Sequence, residues 1–241
     1  MKITVSNLIV LLFLFLVSFT IKKDGGNQNG CPSYSMSNTD GVFTLYYVTQ
    51  DFNFGQPAVD FKKYVAYFLA TRGDTTTKTH GGNLSFSNEP LQFISNSNYY
   101  IDDNSVSNGN GNKKWVCSGN GNFNSFNYHY QRGLASVEIK DQYKIKDTIK
   151  TTDGLSINLS KVKNADSVLV TLSGFNGVTI NKRYNGLVEV SNFSATELSP
   201  FITGGIISVT AFNIVPETIQ NKNYLFGSVH QYLKLVYFKN Q

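Results

Sequence analysis

The residues with the clearest potential for covalent catalysis are three histidines, His80, His129 and His230. A serine or cysteine nucleophile needs a base such as histidine within hydrogen-bond reach. None of the three stands in a motif that provides such a pair. The segment Gly227-Ser228-Val229-His230 lacks the second flanking glycine and the helix of a nucleophile elbow, and its alternation indicates a strand. The sequence therefore predicts no catalytic residue and a protein that is not an enzyme.

Other motifs with chemical potential point to loops. Asp102, Asp103 and Asn104 offer oxygen ligands, but calcium takes six to eight ligands and the spacing differs from an EF-hand loop. The glycine-rich run 109–114 lacks the GK[ST] ending of a phosphate-binding loop. No His and Cys cluster has zinc-ligand spacing. We therefore expect neither a metal nor a cofactor.

Aromatic residues are the one class abundant enough to suggest recognition, with 14 tyrosines, 18 phenylalanines and one tryptophan. Five of them lie close to Asn-rich loops and are candidates for stacking against sugar rings: Tyr99, Tyr100, Trp115, Tyr128 and Tyr130. The competing interpretation of each is a core side chain, because aromatic side chains contribute most of their energy when buried.

Charge argues against nucleic acid as a partner. The net charge is +5, and binding to phosphates needs basic side chains gathered on one face. The nearest cluster, residues 140–150, interleaves four lysines with Asp141 and Asp147. Such a mixture is typical of a solvated linker or an edge strand.

The N-terminus carries an export pattern. Lys2 precedes an unbroken apolar run from Leu8 to Val17, which predicts a signal peptide over residues 1–21. A retained membrane anchor is the alternative, because the apolar stretch almost reaches the length of a spanning helix. A flexible Gly-, Asn- and Ser-rich tether follows over residues 22–40. We therefore expect a protein that is exported to the cell surface or beyond, with any membrane contact made through its N-terminus.

The two cysteines, Cys31 and Cys117, would both reach an oxidising compartment after export. A disulfide between them is one interpretation. Cys31 is also a candidate lipid-bearing residue, because the small residue Gly30 precedes it.

The remaining chain predicts an all-β protein. Residues 41–50 and 59–71 are dense in β-branched and aromatic residues, although the second segment also fits a helical stripe. Short strand candidates separated by Asn- and Gly-rich turns continue to Tyr130. We interpret residues 41–146 as an N-terminal β-sandwich domain, which the charged run 140–150 separates from a second domain.

Residues 147–241 predict a C-terminal immunoglobulin-like sandwich of about seven strands. Asn176-Gly177 and Asn185-Gly186 favour type I′ hairpins that would join three strands into a meander. Ser194 and Glu197 form a capping box, which predicts one helical turn.

The order of apolar run, Lys-Lys-Asp-Gly-Gly and β-rich body resembles exported surface lipoproteins of the Bacteroidetes type. The segments that carry this resemblance within the body are 115–119, 123–126, 153–157, 165–168 and 193–198. Such proteins usually carry their anchoring cysteine directly after the apolar run, where this chain has Ser18-Phe19-Thr20-Ile21. The resemblance implies a two-part β-sandwich body and identifies no activity.

Three classes of function remain. The first is a non-catalytic surface binding or adhesion module for an extracellular glycan or a surface protein. The second is a structural component of the cell envelope, and the third is a polysaccharide-acting hydrolase without a recognisable motif.

Overall fold

A computed structural model describes residues 36–52, 58–102, 113–139 and 145–240. Of these residues, 59% lie in strands and 5% in helices, which confirms the all-β prediction. The predicted signal peptide, most of the tether and Cys31 lie outside the described residues. Thr39 and Asp40, which the sequence assigns to the tether, are buried, and Asp40 Oδ2 forms an ion pair of 2.9 Å with Arg72. The ordered body therefore begins before Gly41.

The described residues contain one short helix, α1 (Ala195–Leu198), and 3-10 turns at Met36–Asn38 and Thr151–Asp153. The capping box predicted at Ser194 and Glu197 is confirmed at the start of α1. The strands, in chain order, are β1 (Gly41–Asp51), β2 (Val59–Leu69), β3 (Lys78–Thr79), β4 (Leu84–Phe86), β5 (Glu89–Ile94), β6 (Tyr99–Ile101), β7 (Lys114–Cys117), β8 (Phe126–His129), β9 (Ser136–Val137), β10 (Thr148–Lys150), β11 (Leu155–Asn158), β12 (Val162–Lys163), β13 (Ser167–Gly174), β14 (Thr179–Asn185), β15 (Val190–Phe193), β16 (Gly204–Ile219) and β17 (Lys222–Lys239).

One 13-stranded sheet dominates the structure, in the order β14-β13-β16-β17-β1-β2-β6-β5-β4-β7-β8, with β10 paired to β17 and β3 to β2. The last strand, β17, runs antiparallel to β16 and parallel to β1. The parallel register extends from Gly41 opposite Tyr224 to Asp51 opposite Lys234. This pairing crosses the predicted domain boundary between residues 146 and 147, so residues from both sides of the boundary share one sheet.

Two apolar cores lie on the same face of this sheet, because residues directly opposite each other on paired strands share a face. The first core gathers aromatic side chains around Phe43, whose ring stacks on Phe226 with centroids 4.9 Å apart. The second core includes Val170 of β13 and Val209 of β16, which are paired in the sheet. Period-two alternation also explains β2: its even residues from Tyr64 to Phe68 point into the first core, so the predicted strand is confirmed and the helical alternative is wrong.

The hairpin predictions need correction. The loop at Asn176-Gly177 has three residues, closed by the Gly174 amide on the Val178 carbonyl at 2.8 Å, and of its Asn-Gly pair only Gly177 has positive φ, at +85°. That is the arrangement of a three-residue hairpin with glycine in the left-handed region, not of a type I′ turn.

The predicted three-stranded meander is also wrong. β15 pairs with β11 in a separate two-stranded sheet instead of with β14. Ser191 and Phe193 of β15 are buried, and Phe193 belongs to the second core. The apolar face of the large sheet must be covered by other elements. The chain leaves the sheet after Gly186, and β15 then packs as part of this cover.

Candidate functional site

The five aromatic residues predicted to recognise a ligand are mostly inside the protein. Trp115, Tyr100 and Tyr130 are buried in the first core, which corrects the prediction that they stack against a ligand. The Tyr100 hydroxyl donates to the Gly82 carbonyl at 2.6 Å, and the Tyr130 hydroxyl donates to the Asn213 carbonyl at 3.1 Å. These phenols satisfy backbone groups in the interior, one in the loop before β4 and one in β16, so their role is structural.

The two remaining predicted residues are half-buried. The ring of Tyr128 stacks on Phe226, with centroids 3.7 Å apart, so one of its faces is already occupied. Tyr99 is at the edge of β6, paired with Ile94. For these two residues a contact with a ligand stays a prediction, and Tyr128 has only one ring face left for it.

Cys117 is a buried free thiol in the first core. Its Sγ donates to the Gly81 carbonyl at 3.3 Å and accepts from the Gly119 amide at 3.4 Å. Burial raises the pKa of this thiol, which keeps it protonated and poorly reactive. The predicted pairing with Cys31 involves a residue outside the described part of the chain.

An exposed aromatic pair lies at the opposite end of the sheet, where the sequence predicts no site. The side chains of Phe175 and Tyr237 are 63% and 49% exposed. Tyr237 is paired with Gly204 across β16 and β17, and the Phe175 amide donates to the Gly204 carbonyl at 2.9 Å. A Cβ atom on Gly204 would lie 2.8 Å from the Phe175 ring, so this ring occupies the space above the glycine.

We refer to Phe175 and Tyr237 as the aromatic patch. Ile202, which is 61% exposed, precedes Gly204 by two residues and adds apolar surface near the start of β16. Contiguous exposed apolar surface is typical of interaction sites on soluble proteins. The signal in the sequence is the aromatic residue inside the Gly174-Phe175-Asn176-Gly177 turn, a position where polar residues are usual.

A threonine and a histidine meet between the two cores in a way that resembles a nucleophile and its base. Thr49 Oγ1 is 3.0 Å from His230 Nε2, and the Thr49 hydroxyl donates to Asp60 Oδ1 at 2.7 Å. His230 Nδ1 accepts from the Val137 amide at 2.8 Å. Because Nδ1 is an acceptor, the ring proton is on Nε2 and points to Thr49. The histidine is therefore a donor to the hydroxyl and not a base for it.

The surroundings of His230 favour the neutral ring. Burial lowers its pKa to about 4, and the charge of Asp60 opposes this shift only in part. The tilted ring of Tyr47 covers it, with centroids 4.1 Å apart. The hydrogen bond to Val137 fastens β9 to the large sheet, which is a structural role.

A second polar cluster surrounds Lys234, whose side chain is only 1% exposed. Its Nζ lies 3.0 Å from Asp51 Oδ2 and also forms an ion pair with Asp147 Oδ1. The Tyr232 hydroxyl donates to Asp51 Oδ2 at 2.9 Å. Burial acts to lower the pKa of Lys234, but hydrogen bonds to Asp147 and Asp51 outweigh it and raise the pKa.

The sheet itself brings these charges together. Asp51 ends β1 and Asp147 directly precedes β10, and both strands pair in parallel with the same edge of β17. Lys234 lies at the gap between them. The sequence motifs do not reveal this cluster, although a single lysine inside the apolar stretch Tyr232–Phe238 is its signal.

Within the described ranges no group of three or more His, Cys, Asp or Glu side chains could hold a metal ion. No helix in that part of the chain is long and apolar enough to span a membrane. No protein family, curated protein or solved structure matches this chain.

Proposed function

We propose that this chain is an exported, non-catalytic binding module that contacts its partner through the aromatic patch. The observation that carries the proposal is the pair of exposed rings on either side of Gly204. The fit of Phe175 over a glycine gives its ring a defined position. Fixed aromatic rings lose little side-chain entropy on binding, which suits them to stack on a sugar or to pack against a surface protein.

The chemistry of the interior supports a binding role over a catalytic one. In the Thr49–His230 pair the histidine ring donates its proton to the threonine hydroxyl, whereas a catalytic base would accept the proton of the nucleophile. Cys117 is buried, with a raised pKa. The two apolar cores support a two-part body of the kind expected from the resemblance to exported surface proteins. β17 contributes to both, with Phe226 in the first core and Tyr232 in the second.

A glycan array with the full chain tests the proposal, followed by titration of any bound glycan with the variants Phe175→Ala and Tyr237→Ala. We expect each variant to weaken binding by about tenfold, the loss of roughly 1.4 kcal/mol of contact energy. Leu187→Ala is the matched control, because Leu187 is also exposed but lies outside the patch. Equal affinity of all three variants and the unsubstituted protein would refute the patch as the binding surface.

The second candidate function is a structural component of the cell envelope. The long register between β1 and β17 favours it, because this register joins the two halves of the chain over 11 residue pairs. A structural component would show no binding on the array. Hydrolysis of polysaccharides by the purified chain would contradict both proposals.

A further inference from the structure

We propose that Lys234 condenses with Asp51 to form an intramolecular isopeptide bond, with Asp147 carrying the protons and Tyr232 polarising the Asp51 carboxyl group. The product is a covalent link between β1 and β17. It goes beyond the binding role and does not depend on it.

The groups are already in contact. Lys234 Nζ is 3.0 Å from Asp51 Oδ2, and the two residues are direct neighbours in the parallel register. The amine nitrogen is therefore held beside the carboxyl group whose Cγ it has to reach, and reacting groups held in a productive orientation attain effective concentrations on the order of 10⁵ M or more. Because Lys234 and Asp51 are both buried, water is excluded from the reacting atoms, which favours the amide over hydrolysis.

The energetics of burial favour the reaction. Asp51 Oδ1 is buried and has no hydrogen-bond partner among the described residues. An unpartnered buried polar oxygen and a desolvated ion pair each cost free energy. Condensation removes both costs at Asp51, because it neutralises Lys234 and Asp51 and expels one carboxyl oxygen as water. Asp147 loses its cationic partner in this step, and its 39% exposed side chain is then solvated by water.

The second carboxylate and the phenol provide the remaining chemistry. Asp147 accepts a proton from the ammonium group, and the free amine attacks Cγ of Asp51. The Tyr232 hydroxyl, which donates to Asp51 Oδ2, stabilises the negative charge that develops on this oxygen. The bond from Cγ to the other oxygen then breaks.

The atoms and charges balance. One ammonium and one carboxylate give one amide and one water molecule, and two of the three ammonium protons leave with the water. Asp147 takes up and returns its proton, so it is unchanged at the end. No oxidant or reductant is needed. The side chain of Asp147 is 39% exposed, which gives the water a way out of the cluster.

Mass spectrometry of the folded full chain tests the proposal. We expect a tryptic product in which the peptides carrying Asp51 and Lys234 are joined, with the mass of one water missing and no cleavage after Lys234. Lys234→Arg is the matched control: it keeps the positive charge but forms no such bond, so its peptides should separate. Complete separation of the peptides from the unsubstituted protein after prolonged incubation would overturn the proposal.

Two further variants test the roles of the carboxyl groups. Asp51→Asn should still form the link, but with the mass of one ammonia missing, because the amide nitrogen is then the leaving group. Asp147→Asn should fold and stay unlinked, because no proton carrier remains. A link to residue 147 in the Asp147→Asn variant, with ammonia lost, would overturn the assignment of Asp51 as the acyl group.

Discussion

The buried neutral histidine makes the stability of this protein depend on pH. The ring of His230 has a pKa of about 4 in the folded chain, against 6.5 for the free side chain. Below pH 6.5 the unfolded chain binds a proton at this residue while the folded chain does not. The free energy of unfolding therefore falls as the pH drops from about 7 to about 4, and the loss from His230 then levels off.

The magnitude follows from the size of the pKa shift. A shift of one unit corresponds to about 1.4 kcal/mol, so the difference between 6.5 and about 4 corresponds to a loss of about 3 kcal/mol. His230 is 3% exposed, so solvent screening reduces this figure little. A loss of that size is a large fraction of the stability of an ordinary domain.

Urea unfolding at pH 7, 5.5 and 4.5 measures the effect, with His230→Asn as the test variant. The side-chain carbonyl that this substitution introduces can accept from the Val137 amide but does not titrate. We expect the variant to be less stable at pH 7 and to lose less stability on acidification than the unsubstituted protein. His129→Asn removes an exposed histidine and serves as the control. Identical pH dependence for the His230→Asn variant and the unsubstituted protein would refute a neutral buried ring.

Two further predictions concern single positions. Gly177→Ala should lower the free energy of unfolding by about 1 kcal/mol, because Gly177 has positive φ but open space around it. Gly205→Ala should lower it by about 3 kcal/mol, because the new Cβ would lie 2.5 Å from the Ser173 carbonyl oxygen. Thermal unfolding of both variants checks this order. Cys117 should resist a thiol reagent in the native protein and react fully in urea, and rapid native labelling of Cys117 would contradict its burial.

The strands could be predicted from the sequence because their signal is local. Period-two alternation and β-branched residues identify β1, β2, β16 and β17. Turn geometry is harder to predict. Among the described residues, two consecutive positive φ angles occur at Ser87-Asn88 and Gln220-Asn221, and neither pair contains glycine. Asparagine tolerates this conformation, but its signal is weaker than that of Asn-Gly.

The polar clusters could not be predicted, because the fold joins residues far apart in the chain. Thr49 and His230 are separated by 181 positions. Asp51 and Tyr232 are also 181 positions apart, and no local sequence pattern predicts their contact. The burial of Trp115, Tyr100 and Tyr130 could not be predicted for a related reason: proximity to a polar loop in the sequence does not decide which side of a strand faces the core.

The domain boundary between residues 146 and 147 stays a prediction. Expressing residues 147–241 alone tests it, since that fragment leaves β17 without β1 and Lys234 without Asp51. Cooperative unfolding of the fragment would support an independent C-terminal domain. Its absence would show that β1 is needed to complete the fold.

The parallel pairing of β1 with β17 also determines how the protein responds to mechanical force. The described part of the chain enters β1 at Gly41 and leaves β17 at Lys239, at opposite ends of the paired strands. Tension between these two points acts along the strands, so it loads the hydrogen bonds of the register together and not one after another. A pair of strands in this shear geometry resists extension far better than a hairpin that is pulled open from one end.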